Sequence, residues 1–378
     1  MINIIEKKQC NGCYACTNIC PQNCIAMEYD EEGFLYPKVS LDKCINCGLC
    51  EKICPIINKL SIRNNNSVAF ACKTKDEQIR EMSSSGGIFS VIANYVIDNG
   101  GVVFGASFND DFAVVHKYVE DKSALTDLFG SKYVQSKIGD SYRKAQDFLD
   151  AGRWVLFTGT PCQIGGLLSF LKKSYNNLLT QDIICHGVPS PVVWEKYLTF
   201  KMQQKQSKIE KITFRSKRNG WKRYSLQFVF ENGEIDCKIQ GKDPYMKAFF
   251  KSVSLRPSCF DCSFKTQARN SDFTLADLWG IETIAPTMDD NKGTSLVVLH
   301  SAKALQLFEK LKEYIFVENI DLVLAINSNP CMIRSVKKPK NRIKFLKRVN
   351  ANNFDKVVSK YCKDSLITKI KRKLKINK

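Results

Sequence analysis

Eight cysteines near the start of the chain repeat one spacing twice. The first run is Cys10, Cys13, Cys16 and Cys20 followed by Pro21, and the second is Cys44, Cys47, Cys50 and Cys54 followed by Pro55. Three thiolates at this spacing can bind one corner of an iron–sulfur cube from a tight loop, and the fourth ligand then comes from elsewhere. The repeat therefore predicts two 4Fe–4S clusters within residues 1–58 and constrains that segment to a small metal-bound module.

The fourth cysteine of each run is expected to serve the other cluster, as in bacterial two-cluster ferredoxins. One predicted ligand set is Cys10, Cys13, Cys16 and Cys54, and the other is Cys20, Cys44, Cys47 and Cys50. Zinc is the alternative because paired cysteines also form zinc knuckles, but two complete runs favour iron. Cys24 lies outside the spacing and is predicted to be a packed residue. Such a module transfers single electrons.

The cysteine content also bears on the compartment. The chain has 17 cysteines, and its opening residues lack the apolar core of a signal peptide. No apolar run approaches the roughly 18 residues of a membrane-spanning helix. We therefore expect a cytoplasmic protein in which thiols stay reduced and clustered cysteines bind metal.

The rest of the chain predicts an α/β fold with α+β parts. After a polar linker at 59–67, buried strands are expected at 68–72, 101–107, 154–159, 178–185 and 294–300, with helices at 87–100 and 161–173. This alternation predicts a largely parallel sheet. Residues 209–240 predict an antiparallel hairpin with a turn at Asn232-Gly233. Residues 336–378 are rich in lysine and predict a basic, peripheral and helical C-terminal tail.

Six short motifs in a fixed order carry a family resemblance. They are SSSGG (83–87), GSKYVQS (130–136), TGTPCQ (158–163), CHGVPS (185–190), NGW (219–221) and DLWG (277–280). With these motifs the chain resembles the beta subunits of coenzyme F-420-reducing hydrogenases and formate dehydrogenases, and it is similar to plant hydroxymethyl-chlorophyll reductase. The resemblance covers about residues 68–335. It implies an iron–sulfur domain that also binds FAD, with the ferredoxin module fused in front.

Four further cysteines predict a third cluster in that second domain. Cys162 and Cys185 follow two predicted strands, whose ends meet at one sheet edge if the strands are parallel neighbours. Cys259 and Cys262 form a closely spaced pair, and four thiolates together can hold a 4Fe–4S cluster. The alternative is that Cys162 and Cys185 are buried thiols and that Cys259 and Cys262 form half of a zinc site. The remaining cysteines, Cys72, Cys237, Cys331 and Cys362, show no ligand spacing.

The predicted flavin site combines two of the motifs. Ser84, Ser85, Gly86 and Gly87 precede a helix whose N–H groups can face a pyrophosphate, although an ordinary helix cap explains serines there equally well. Ser131, Lys132, Tyr133 and Gln135 are the expected flavin-ring contacts, with a solvated surface loop as the alternative. Lys132 and His186 are the candidate catalytic residues, and structural packing is the alternative for His186.

Charge and motif content together predict partners and function. The net charge of +19 lies outside the ferredoxin module and favours an acidic electron carrier such as ferredoxin or flavodoxin, or an anionic membrane surface. Nucleic acid is the weaker expectation because no RNA-binding motif is present. The main prediction is an FAD-dependent iron–sulfur oxidoreductase acting on an organic substrate such as a cell-surface polysaccharide precursor. The alternative is an electron-relay beta subunit in a hydrogenase or formate dehydrogenase complex that uses a deazaflavin coenzyme.

Overall fold

A computed structural model describes residues 1–61 and 66–363. Part of the predicted linker 59–67 and the end of the predicted tail, residues 364–378, lie outside the described residues. The strands are β1 (Ile25–Tyr29), β2 (Leu35–Val39), β3 (Val68–Thr74), β4 (Val102–Phe108), β5 (Val114–Val119), β6 (Val155–Gly159), β7 (Leu178–Ile183), β8 (Ile209–Ser216), β9 (Ser225–Phe230), β10 (Ile235–Ile239), β11 (Phe273–Asp277), β12 (Ser295–Leu299) and β13 (Ile315–Ile320).

Short helices alternate with these strands. The α-helices are α1 (Ala15–Ile19), α2 (Leu49–Lys52), α3 (Glu77–Met82), α4 (Ile88–Asp98), α5 (Lys122–Leu125), α6 (Ser141–Asp150), α7 (Pro161–Leu171), α8 (Pro191–Lys205), α9 (Pro244–Phe250), α10 (Ile281–Ile284), α11 (Ala302–Leu311), α12 (Leu322–Ser328), α13 (Arg342–Arg348) and α14 (Phe354–Tyr361). Single 3₁₀ turns add Lys7–Gln9, Thr126–Leu128, Pro257–Asp261, Pro286–Met288, Lys312–Tyr314 and Pro330–Met332. Among the described residues, none of these helices is long and apolar enough to cross a bilayer.

An eight-stranded mixed sheet forms the centre of the second domain. Its strand order is β13-β3-β12-β11-β7-β6-β4-β5. Only β11, β7, β6 and β4 run parallel, and the outer strands are antiparallel to their neighbours. The mixed α/β class is confirmed, but the expectation of a largely parallel sheet is wrong. The five-residue link between β4 and β5 is too short for the crossover that a parallel pair needs.

A three-stranded antiparallel sheet, β10-β9-β8, forms a separate layer. Ile235 pairs with Val229 across the turn, and Gly233 in that turn has φ +81°, a conformation that glycine adopts without strain. The predicted hairpin is thereby confirmed. Phe345 and Phe354, from α13 and α14, are fully buried in the core that this sheet forms with α8 and α9. The start of the predicted tail is thus part of the folded body.

The ferredoxin module shares its core with the second domain. Tyr14 and Leu35 pack in one apolar cluster with Phe104, Phe157 and Leu167 of the central sheet and α7. Arg143 on α6 donates hydrogen bonds to the backbone oxygens of Thr17, Asn18 and Cys20 at the end of α1. These carbonyls lack partners within so short a helix, so a cation from the second domain caps the module.

Helix α7 approaches the first cysteine loop closely at Gly166. A methyl group built on Gly166 would lie 2.9 Å from Cβ of Cys13 and 3.2 Å from its backbone oxygen. Contacts under 3.0 Å require something to move, and the backbone of the cysteine loop is held by the surrounding core. Glycine at this position therefore lets the module and the second domain come together.

We expect Gly166→Ala to destabilise the protein, although alanine normally stabilises a helix interior by about 1 kcal/mol relative to glycine. Overpacking against Cys13 should instead cost about 1–3 kcal/mol. The measurement is the free energy of unfolding in urea under anaerobic conditions. Ser169→Ala on the same helix is the control, because its buried hydroxyl has no hydrogen-bond partner. A stability gain in Gly166→Ala would contradict the close packing.

Candidate functional site

One predicted cluster site is a cavity inside the module. It has about 350 Å³ of empty space and is lined by the four cysteines of the second predicted ligand set, Cys20, Cys44, Cys47 and Cys50. The backbone N–H of Ile2 donates to Sγ of Cys50 over 3.2 Å. Cys24 is buried as expected, but it also lines this module cavity, with its sulfur 3.4 Å from Sγ of Cys20. The spacing gave no sign of this fifth sulfur.

The first predicted ligand set also comes together. Burial, together with the nearby sulfurs of Cys10 and Cys54, raises the pKa of the Cys13 thiol to about 12. Cys16 has a raised pKa for the same reasons, with Cys13, Cys10 and Cys54 as its neighbours. The backbone N–H of Gly12 donates to Sγ of Cys10 over 3.4 Å. Four sulfurs from residues far apart in the sequence therefore lie in one region.

A second cavity lies between the module and the second domain. We call it the interdomain cavity; it has about 440 Å³ of empty space, and its cysteines are Cys162, Cys185, Cys259, Cys262 and Cys331. The structure thus brings together the four predicted ligands of the third cluster. Cys331, which shows no ligand spacing, joins them. Among residues 1–61 and 66–363, no three His, Cys, Asp or Glu side chains are arranged around a single metal ion.

The strand ends position two of these sulfurs. β6 and β7 are parallel neighbours, so Cys162, just after β6, and Cys185, just after β7, emerge at the same sheet edge. Cys162 occupies the first turn of α7, where the helix dipole favours a thiolate. Cys259 lies in the 3₁₀ turn Pro257–Asp261, and its sulfur accepts the backbone N–H of Val188 over 3.4 Å.

The buried thiols are poorly suited to carry charge alone. Burial raises the pKa of Cys185 to about 12 and that of Cys259 to about 11, with neighbouring cysteines adding to the shift. The pKa of Cys162 is shifted upward by burial and by Cys262. Thiolates form in such a place when a metal centre offsets their charge. The donor set therefore fits an iron–sulfur cluster.

Asn11 connects the module to the interdomain cavity. It follows Cys10, lines the cavity and is 8% exposed, and its Nδ2 has no hydrogen-bond partner within residues 1–61 and 66–363. An unpaired buried amide N–H is costly unless a ligand accepts it. The sulfur atoms of a cluster would supply such an acceptor. Sequence reasoning missed Asn11, although its place inside the first cysteine run was a signal.

The family motifs converge next to this region. Ser131 donates from its backbone N–H to Oγ of Ser84 over 2.7 Å, which joins the first two motifs. Arg215 contacts the hydroxyl of Tyr133 over 3.3 Å and forms a bidentate ion pair with Asp277. These contacts bring the GSKYVQS and DLWG motifs to one place.

The aromatic residues of the last two motifs complete this junction. The indole N–H of Trp221 donates to Asp277 over 3.1 Å, and its ring stacks on Trp279 with the centroids 5.1 Å apart. Asp277 thus accepts from both Arg215 and Trp221. Motifs that are far apart in the chain form one packed polar unit.

The SSSGG loop forms hydrogen bonds with neighbouring residues of the second domain. Ser85 Oγ donates to the backbone oxygen of Thr294, and the Gly86 N–H donates to Ser295 Oγ over 3.0 Å. A Cβ on Gly86 would lie 2.3 Å from the backbone oxygen of Cys72. Close packing against β3 and β12 therefore explains the small residues that the sequence predicts as a pyrophosphate cradle.

The two candidate catalytic residues have different surroundings. Lys132 donates to the backbone oxygens of Phe129 and Gly130, and burial of its ammonium lowers its pKa to about 7. His186 lies near Ser252 Oγ and 3.7 Å from Sγ of Cys331, and burial lowers its pKa to about 4. His186 is therefore neutral near pH 7. Gln135, expected at a flavin, donates to the backbone oxygen of Asn11 and accepts from Arg256 at the base of the first cysteine loop.

Comparison with known proteins gives matches for the module and for part of the second domain. Residues 9–56 match the 4Fe-4S dicluster domain, which defines an iron–sulfur module. Residues 152–324 match the C terminus of the coenzyme F420 hydrogenase/dehydrogenase beta subunit. The chain therefore carries a domain of the family of coenzyme F420 hydrogenase/dehydrogenase beta subunits behind a two-cluster module, and the resemblance seen in the motifs is confirmed.

Two curated relatives are each similar to part of the chain. The F subunit of the F(420)H(2) dehydrogenase of Methanosarcina mazei is 24% identical over 42% of this chain and 48% of its own length. The I 2 subunit of the NADH-quinone oxidoreductase of Geobacter metallireducens is 36% identical over 14% of this chain and 43% of its own. The chain thus spans less than half the length of these relatives.

A solved structure of the F420-reducing [NiFe] hydrogenase complex from Methanosarcina barkeri, obtained with xenon derivatization, contains a similar chain. It is 15% identical and has a TM-score of 0.46, with 70% of this chain and 89% of that chain covered.

The prediction of an FAD-dependent enzyme is wrong. The family model and the Methanosarcina mazei relative are described by coenzyme F420, a deazaflavin, and not by FAD. The SSSGG loop, on which the flavin prediction relied, also bonds within the protein, since Ser85 and Gly86 donate hydrogen bonds to Thr294 and Ser295. Small residues before a helix indicate close packing as readily as phosphate binding.

Lys132→Met should change how stability depends on pH. The folded-state pKa of Lys132, about 7, lies below its ordinary value of 10.5, so the unfolded chain binds more protons between these pH values. Stability from this group therefore rises as pH increases from about 7 to 10.5. We expect the wild type to gain free energy of unfolding relative to the variant between pH 7 and 10, measured by urea unfolding. Lys242→Met, at an exposed lysine, is the control, and a difference that stays constant with pH would contradict the burial of the Lys132 ammonium.

Proposed function

We propose that the chain is an iron–sulfur electron-transfer subunit that moves electrons between a partner oxidoreductase and a deazaflavin coenzyme of the F420 type. The observation that carries this proposal is the position of Asn11. It belongs to the first cysteine loop of the module and lines the same cavity as five cysteines of the second domain, four of which are the predicted ligands of the third cluster. The cysteine loop of the module and the cysteines of the interdomain cavity are therefore neighbours, with the Asn11 side chain between them.

The proposed ligands are those that the sequence predicts. Two sets come from the module, and Cys162, Cys185, Cys259 and Cys262 form the third. When bound, 4Fe–4S clusters supply one-electron transfer at potentials set by nearby charge and hydrogen bonds. The protein's own part is to hold the sulfurs, to exclude water and to place the N–H groups of Val188, Gly12 and Ile2 against them.

The deazaflavin would bind near the junction of the family motifs. Oxidising F420H2 to F420 releases two electrons and two protons, so the site needs a group that exchanges protons near neutral pH. Lys132 fits this role, because burial lowers its pKa to about 7 and its hydrogen-bond partners are backbone oxygens. Tyr133, beside Arg215, presents an aromatic and a cationic group to the same region.

The module cavity would face the partner. Cys47 is exposed at this cavity, and the neighbouring side chains of Leu41 and Ile45 are 67% and 61% exposed. Exposed apolar side chains beside a redox centre are typical of a protein-protein contact. An oxidoreductase subunit that carries its own redox centre is the partner that this surface fits.

The comparisons favour this relay over an enzyme that acts on a cell-surface polysaccharide precursor. One curated relative is described as a subunit of an F(420)H(2) dehydrogenase and the other as a subunit of an NADH-quinone oxidoreductase. The alternative partners inferred from charge, an acidic carrier and an anionic membrane, rest partly on residues 364–378, which lie outside the described part of the chain.

Iron analysis tests the cluster assignment. We expect anaerobically purified protein to hold about twelve iron atoms per chain, four for each of three clusters. The Cys259→Ser, Cys262→Ser double variant should retain about eight, because only the interdomain cavity loses its ligands. Cys237→Ser, which lines neither cavity, is the control. About eight iron atoms in the wild type would remove the third cluster, and zinc would contradict all three.

Coenzyme turnover tests the functional proposal. With a chemically reduced viologen as donor, the wild type should reduce coenzyme F420, as followed by the loss of its visible absorbance. The Cys259→Ser, Cys262→Ser variant should lose at least about 99% of this rate, because the link from the module is broken, and the Cys237→Ser control should keep it. A wild type with full iron content that does not react with coenzyme F420 would contradict the proposed function.

A further inference from the structure

Arg256 joins the second domain directly to the first cysteine loop of the module. Its guanidinium is fully buried and donates to the backbone oxygens of Cys10 and Leu35 over 2.8 and 2.9 Å. It also donates to Oε1 of Gln135 over 3.0 Å. Nη2 lies 3.7 Å from Sγ of Cys10, a proposed cluster ligand.

This guanidinium differs from the other buried arginines in its charge partners. Arg80, Arg215, Arg269 and Arg342 are each paired with a carboxylate, respectively Asp290, Asp277, Asp182 and Glu32. Within residues 1–61 and 66–363, Arg256 has no carboxylate in ion-pair contact. A buried cation without a counter-charge costs several kcal/mol. Stacking of Arg256 on Tyr36, with the ring centroid 4.2 Å away, offsets part of that cost.

We infer that Arg256 is the counter-charge of the iron–sulfur group held by Cys10, Cys13, Cys16 and Cys54, and that it raises the reduction potential of this group. The inference rests on the proposed ligand set. Reduction adds one negative charge to the group, and a fixed positive charge in a water-excluded site stabilises the reduced form more than the oxidised form. Among the described residues, Arg143 reaches the backbone oxygen of Cys20 beside the other module site, and it is partly exposed to solvent whereas Arg256 is fully buried.

The position of Arg256 indicates the domain towards which this higher potential favours electron transfer. The backbone N–H of Cys259 donates to the oxygen of Arg256 over 3.0 Å, so the same turn carries the cation and a proposed ligand of the interdomain cavity. A higher potential at the Cys10 site keeps the electron on the side of the module that adjoins this cavity. Arg256 thereby acts as a positioning residue that favours transfer towards the second domain.

Redox titration of the full-length chain, followed by electron paramagnetic resonance, tests the inference. Arg256→Gln should leave the iron content unchanged but lower one reduction potential. At a fixed solution potential, the ratio of reduced to oxidised cluster should fall at least about tenfold, which is about 59 mV for one electron. Arg256→Lys keeps the charge and should retain most of the wild-type value. The control is the double variant Glu32→Gln, Arg342→Gln, which removes a partly buried ion pair that also links the module to the second domain but does not contact Cys10. Its reduction steps should stay in place.

Gln135→Glu provides a second route if Arg256→Gln does not fold. It places a carboxylate against the guanidinium and should lower the same reduction step while Arg256 remains in position. If either variant holds full iron and its steps match the wild type, the inference is wrong. A wild type that lacks the module clusters would instead overturn the proposed ligands, and the inference with them. Iron content thus distinguishes the two failures.

Discussion

The buried guanidinium of Arg256 is the contact on which the two-domain arrangement depends. It satisfies backbone oxygens of both the first cysteine loop and β2 of the module, yet it belongs to the turn that carries Cys259. A charge can be buried there only if its N–H groups are hydrogen-bonded and an opposite charge offsets its own. The close approach of Gly166 to Cys13 and the capping of α1 by Arg143 hold the same interface from other directions.

The distribution of cysteines follows from that interface. Because the first cysteine loop is held against α7, Asn11 reaches a cavity whose sulfurs come from the ends of β6 and β7 and from the 257–261 turn. Burial raises the pKa values of these thiols, so the cavity is suited to a metal centre rather than to free thiolates. In the second domain, Arg215 bonds to both Tyr133 and Asp277 and so brings two of the family motifs together.

The flavin prediction shows where a local pattern has two physical meanings. Ser84, Ser85 and Gly86 match a phosphate cradle in sequence, but their hydroxyl and N–H groups bond to Ser131, Thr294 and Ser295. A loop packed against a sheet and a loop that binds phosphate both need small residues, and only the neighbours across the fold distinguish them. Lys132 lies in the second motif of the flavin prediction, and burial of its ammonium lowers its pKa to about 7.

The sequence by itself determined the two cysteine runs, the strand and helix alternation, the hairpin at Asn232-Gly233 and the family, because each depends on spacing or periodicity along the chain. It also picked out Cys162, Cys185, Cys259 and Cys262. Tertiary structure alone decided that Cys24 lines the module cavity and that Cys331 lines the interdomain cavity. It also decided that the outer strands are antiparallel and that Asn11 and Arg256 link the domains. These features depend on which residues meet after the chain has folded, and contacts between distant residues leave no periodic trace in the sequence.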